Sequence, residues 1–89
     1  MQFLAKVYVT LKPAVNDPQG LTVLGGLKTL GFQSVSSVRV GKYLELALDA
    51  PDRAAAEAQA QEMCRKLLAN PVIELFRVEV GEAVAAARR

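Results

Sequence analysis

Residues 38–48 read VRVGKYLELAL, and their alternation keeps a single phase from end to end. Val38, Val40, Leu44, Leu46 and Leu48 occupy the even positions, with Arg39, Tyr43, Glu45 and Ala47 between them, as in a strand with one buried face. Only Lys42 interrupts the apolar set. Gly41-Lys42 has the composition of a two-residue hairpin turn, but that turn sets Val40 opposite Tyr43 and points Leu44, Leu46 and Leu48 away from the face of Val38 and Val40. A three-residue loop restores the phase but favours glycine at its last position, where Tyr43 stands. The pattern therefore predicts one long extended strand, or a hairpin opened into one, whose halves serve two packing units. An opened hairpin implies exchange of segments between two chains.

With 89 residues the chain is one small domain, which buries only about 60 to 65% of its unfolded surface. A thin core makes association with another copy or a partner the expectation. The balance of 52% hydrophobic and 22% charged residues is that of a globular protein rather than a disordered one. A net charge of +2, spread along the chain, is too small to read as a nucleic-acid footprint. No run reaches the roughly 18 apolar residues of a membrane span, and residues 1–11 alternate instead of forming a signal-peptide block. A cytoplasmic protein is expected. One cysteine excludes an internal disulfide, and the lack of histidine removes the commonest general base and metal ligand. Metal and triad enzymes are thus disfavoured. Cys64 falls within an apolar helical stripe and reads as a small buried hydrophobe rather than a nucleophile.

Residues 2–12 form a first predicted strand, with Phe3, Ala5, Val7, Val9 and Leu11 on one face and Pro13 ending it. Leu4 and Tyr8 share the second face with Gln2, Lys6, Thr10 and Lys12. Asp17 then caps a helix with Pro18 at its first position and Gly31 as its left-handed stop. At 100° per residue, Val23, Leu24, Leu27 and Leu30 make one stripe of that helix. Gly25-Gly26 costs about 1 kcal/mol per glycine relative to alanine. Either another backbone packs closely there or the helix is marginal. Gly20 alone is far short of a glycine-rich phosphate cradle.

A second helix is expected over residues 52–69, with Pro51 in its first turn and a stripe of Ala56, Ala60, Met63, Cys64 and Leu67. Glu62 and Lys66 stand four apart on its solvated side. Asn70-Pro71 stops it, and residues 72–80 form the last strand, with Val72, Phe76, Val78 and Val80 in one phase. Ile73 and Leu75 fall in the opposite phase, which a bulge or contacts on both faces near Glu74 would accommodate. The expected division is one domain over 1–81 and a tail over 82–89, either frayed or a short helical turn. The order strand, helix, long strand, helix, strand gives an α+β, ferredoxin-like β-α-β-(β)-α-β architecture. Both helices would cover one sheet face, leaving Leu4, Tyr8, Tyr43, Ala47 and Leu75 to a second layer such as a partner sheet.

The runs KVYVTLKPAVNDPQG at 6–20, VRVGKYLEL at 38–46 and EMCRKLLANPVIE at 62–74 resemble the small PurS subunits of phosphoribosylformylglycinamidine synthase. The resemblance spans about residues 2–80. It implies a segment-swapped dimer of ferredoxin-like subdomains and a place in the fourth step of purine biosynthesis. There ATP and ammonia from glutamine convert formylglycinamide ribonucleotide to formylglycinamidine ribonucleotide, releasing ADP, phosphate and glutamate. It implies as partners the PurL synthetase, the PurQ glutaminase and a second copy, as a dimer or tetramer, with no catalytic residue in this chain. By the same resemblance no cofactor binds this chain alone, and ATP and magnesium belong to the assembled complex. Asp17, Gln19 and Gly20 in the first loop, and Arg39, Gly41, Lys42, Tyr43 and Glu45 around the strand midpoint, are the candidate partner contacts. Each also reads as a cap, a turn or a solvated strand face.

Two other functions share this topology. A small regulatory domain would bind an amino acid or purine intermediate at a dimer interface. An RNA-binding module would need stacking aromatics, for which only Tyr8 and Tyr43 are candidates, without basic surroundings.

Overall fold

Alternation in three segments builds one sheet, and the computed structural model, which describes residues 1–82, places the strands in the order β2-β1-β3. Strand β1 (Gln2–Leu11) lies between β2 (Gly41–Asp49) and β3 (Glu74–Glu82) and runs antiparallel to both. Register follows the apolar phase. Phe3, Ala5 and Val7 pair with Leu48, Leu46 and Leu44 on one side, and Ala5, Val7 and Val9 pair with Val80, Val78 and Phe76 on the other. A slip of one residue would send each of these side chains to the opposite face.

Helix α1 (Pro18–Thr29) and helix α2 (Arg53–Met63) have very different surroundings. Asp52 caps α2 by accepting from the Ala55 amide at 2.8 Å, so Pro51 precedes the cap rather than sitting in the first turn. Ala56, Ala60 and Cys64 then pack onto the sheet, joining Phe3, Ala5, Leu48 and Val80 towards one end and Val7, Val9 and Ala69 towards the other. Residues Cys64–Leu68 widen into a π turn, closed by the Ala69 amide on the Cys64 carbonyl at 3.0 Å. The wider turn keeps an every-fourth-residue stripe facing inward. Leu68 therefore lies against the core, while Leu67 is 81% exposed and Met63 is also exposed, correcting the stripe expected from a uniform 3.6-residue period. Burial raises the pKa of the Cys64 thiol, consistent with a packing role.

Three further expectations are revised. The paired strand β2 begins at Gly41 rather than Val38, and residues 35–40 join no ladder among the described residues. Strand β3 starts at Glu74 in unbroken register, because the Asn70 carbonyl accepts the amides of Ile73 and Glu74 and holds residues 71–73 in a turn. That turn accounts for the phase change at Ile73 without a bulge. β3 also runs to Glu82, past the strand end expected at Val80, and the tail expectation for 83–89 lies outside the described residues.

The exclusion of a tight turn at Gly41-Lys42 holds, although residues 38–40 are not part of the strand. Gly41 pairs with Thr10 in the β1 ladder, and among the described residues only Gly31 has a positive φ, +100° at the end of α1, so no primed turn forms at Gly41-Lys42. Glycine is required at 41 for another reason. A Cβ there would come within 2.4 Å of the Val9 carbonyl oxygen.

α1, by contrast, lies apart from the strands that α2 covers. Of its stripe, Leu24 and Leu27 are half-buried and Val23 is exposed, while Leu30 just past its end is 74% exposed and Phe32 beyond it is 56% exposed. No neighbour would meet a Cβ at Gly25 or Gly26. The expectation that both helices cover one sheet face is thus corrected for the single chain. A radius of gyration of 16.5 Å and extents of 50 × 33 × 16 Å describe an elongated particle, against roughly 12 Å for a closed domain of this length.

Candidate partner interface

The candidate contact residues separate into two groups. The first surrounds the start of α1. Asp17 is only 4% exposed, and its two carboxylate oxygens do different things. Oδ1 accepts the Gly20 amide at 2.9 Å, as a helix cap should, and Oδ2 accepts the Val40 amide at 2.8 Å from a segment 23 residues away. Those two bonds, the Val40 amide first, hold the Asp17 carboxyl below the usual range, with the Arg39 guanidinium 3.9 Å away adding to the effect. Arg39 also donates to the carbonyls of Lys12 at 2.9 Å and Val15 at 3.1 Å. Gly20 is buried beneath Val38, and a Cβ on it would fall 2.3 Å from the Val38 carbonyl oxygen.

Asp17 and Gly20 therefore face inward, whereas Gln19 and Lys42 are exposed. Beside them opens a cleft lined by Val9, Leu11, Asp17, Gln19, Lys42 and Glu74 among others. Alternation did not single out Glu74. Its carboxylate accepts the Asn70 amide at 2.7 Å, and antiparallel pairing with Leu11 brings it to the cleft.

The second group lies on the sheet face opposite α2. Tyr43 pairs with Tyr8, the rings tilted with centroids 5.1 Å apart, and the Tyr43 hydroxyl donates to Glu45 at 2.7 Å. Arg77 stacks over the Tyr8 ring at 4.1 Å and forms an ion pair with Glu79, whose other carboxylate oxygen accepts the Tyr8 hydroxyl at 3.2 Å. Desolvation and the Glu79 carboxylate raise the Tyr8 pKa. Register also places Lys6 between Glu45 and Glu79. This face is a charged and aromatic lattice, not the apolar patch that Leu4, Tyr8, Tyr43, Ala47 and Leu75 suggest in isolation. Tyrosines engaged with carboxylates are poor platforms for nucleic-acid bases.

Arg77 and Glu79 are contributors that the strand pattern did not reveal, because they emerge only once β3 is registered against β1. Among the described residues no group of three or more His, Cys, Asp or Glu side chains is placed to hold a metal ion, and no helix is long and apolar enough to cross a membrane.

Residues 4–82 match the family PurS, phosphoribosylformylglycinamidine (FGAM) synthase. The chain is 53% identical over 75 residues to the phosphoribosylformylglycinamidine synthase subunit PurS of Synechocystis, an overlap covering 84% of this chain and 75% of that one. Its fold is similar to that of Thermus thermophilus PurS, with a TM-score of 0.83 and 42% identity over 93% of this chain and 99% of the other. It is also similar to a chain in the structure of PurLQS from Thermotoga maritima, with a TM-score of 0.84 and 28% identity over 91% of this chain and 99% of that one. With a family match across nearly all of its length, relatives as much as 53% identical and the β-α-β-α-β order of the similar folds, this chain belongs to the PurS family of phosphoribosylformylglycinamidine synthase subunits.

Proposed function

We propose that two copies of this chain pair by exchanging α1 and residues 32–40, and that the pair holds a PurL synthetase against a PurQ glutaminase so that ammonia passes between them without escaping to water. As a PurS family member the chain is a noncatalytic subunit of a ligase that serves purine biosynthesis. The observation that carries the pairing is the uncovered apolar surface of α1 and its C-terminal extension, with Leu30 and Phe32 more than half exposed. The outer edge of β2 is the complementary feature, since it offers unpaired backbone groups to a strand from another copy. Residues 35–40, which have no ladder partner among the described residues, supply a segment that fits there.

In this reading Gln19, Arg39, Gly41, Lys42, Tyr43 and Glu45 lie at the contact surface, while buried Asp17 and Gly20 shape it from beneath. ATP and magnesium belong to the synthetase, and the complex works in the cytoplasm. Light scattering on the purified chain tests the pairing, since a mass of two or four copies is expected and a single-copy mass would refute it.

Reconstitution tests the bridging. Glutamine-dependent turnover of the PurL and PurQ proteins is measured with and without this chain, together with co-elution of the mixture. Turnover that depends on this chain and a complex containing all three proteins is the expected result; unchanged turnover with separate elution would refute the reading.

A further inference from the structure

We infer that Asp17 and Gly20 form a rigid joint that fixes the direction in which α1 and residues 32–40 leave the sheet, and so selects the geometry in which two copies pair. The inference rests on the segment-exchanged pairing proposed above. Its basis is the convergence of three stretches of chain on one point. One carboxylate ties the start of α1, through the Gly20 amide, to the far end of the connecting segment, through the Val40 amide. Arg39 fastens the same segment to the carbonyls of Lys12 and Val15 at the end of β1. The absence of a side chain at Gly20 lets the Val38 backbone close against the helix, where a Cβ would stand 2.3 Å from its carbonyl oxygen.

Away from this point α1 packs little against the strands, and Gly25 and Gly26 face open space. The joint at its base therefore weighs heavily in its orientation. A helix of 12 residues is about 18 Å long, so a small rotation at its base moves its far end by several ångströms. Arg39 is the charged group that faces Asp17, and the bonds to the Val40 and Gly20 amides keep the carboxylate ionised throughout the neutral range.

An ordinary helix cap and a joint respond differently to substitution. Serine caps helices about as well as aspartate, so Asp17→Ser preserves the bond to the Gly20 amide while giving up the second oxygen that reaches Val40. Gly20→Ala keeps the aspartate but sets a Cβ 2.3 Å from the Val38 carbonyl oxygen and 2.8 Å from Asp17 Oδ2, so both the Val38 backbone and the carboxylate must shift. The experiment uses the full chain carrying Thr29→Cys, an exposed position at the end of α1, labelled with a nitroxide and measured by pulsed electron spin resonance in the assembled protein. Circular dichroism confirms folding of each variant.

The parent is expected to give one narrow distance distribution between the two copies' labels. Asp17→Ser and Gly20→Ala are each expected to broaden or shift it and to weaken pairing at least tenfold. A parent distance unchanged in both variants would overturn the joint while leaving the pairing intact. A parent with no distance between labels, because the copies do not associate, would overturn the pairing and the joint with it.

Discussion

The two helices of this chain show how similar lengths and similar amphipathic patterns lead to opposite fates. α2 lays small residues on the sheet. Ala56, Ala60 and Cys64 are completely buried against β1 and its neighbours, so the helix backbone approaches closely and the core closes with few large side chains. α1 carries its apolar residues as leucines and valines, yet leaves much of them in solvent. The difference lies in chain path, not in the helices themselves. The segment after α2 returns directly as β3, whereas the segment after α1 runs past the Asp17 joint and enters the sheet only at Gly41. A strand that refuses to fold back at its centre leaves the preceding helix without its own sheet face to cover. The α2 side is thus a closed unit and the α1 side a half of one.

Substitutions on the two sides should differ in kind as well as size. Phe3→Ala removes a side chain 2% exposed beneath α2, and it should lower unfolding free energy by about 3 to 5 kcal/mol at any protein concentration, read from urea denaturation. Leu30→Ser should be smaller and of a different character. On an isolated chain a residue 74% exposed would change stability by less than about 0.5 kcal/mol. If a second copy covers it, the loss is about 2 kcal/mol for each leucine withdrawn from water, and the midpoint becomes more dependent on concentration.

Gly31→Ala introduces a Cβ at φ +100° and should cost about 1 to 2 kcal/mol, measured as a fall in the helical signal's melting temperature. The acid response should be the mildest. The native Asp17 carboxyl titrates below its unfolded value, so its contribution is complete above a pH of about 4 and is lost as pH falls through the native pKa. Asp17→Ser should consequently flatten the acid limb of a stability profile and leave its slope near neutrality unchanged.

Much of this architecture was legible in the residues. Single-phase alternation gave β1 and β2 their core faces, and the mismatch of phase across Gly41-Lys42 excluded a tight hairpin. Asp17, Pro18 and Gly31 marked both ends of α1 because caps and left-handed stops are local chemistry. Long-range facts were not legible. The inward turn of Asp17 depends on a backbone amide 23 residues away, and the Arg77, Tyr8 and Glu79 lattice depends on the register of β3. The exposed Leu67 was misassigned because a π turn changes the period within a helix, which composition does not announce. Among the candidate contacts, the residue pattern could not tell exposed Gln19 and Lys42 from buried Asp17 and Gly20.

Amide hydrogen exchange along a dilution series tests the contrast between the two sides most directly. Protection in α1 should fall as the protein is diluted and the copies separate, while protection in β1 persists to lower concentration because α2 closes that core within one chain. Equal protection in α1 and β1 that does not change with concentration would mean that the helix is covered by its own chain, and would contradict the account.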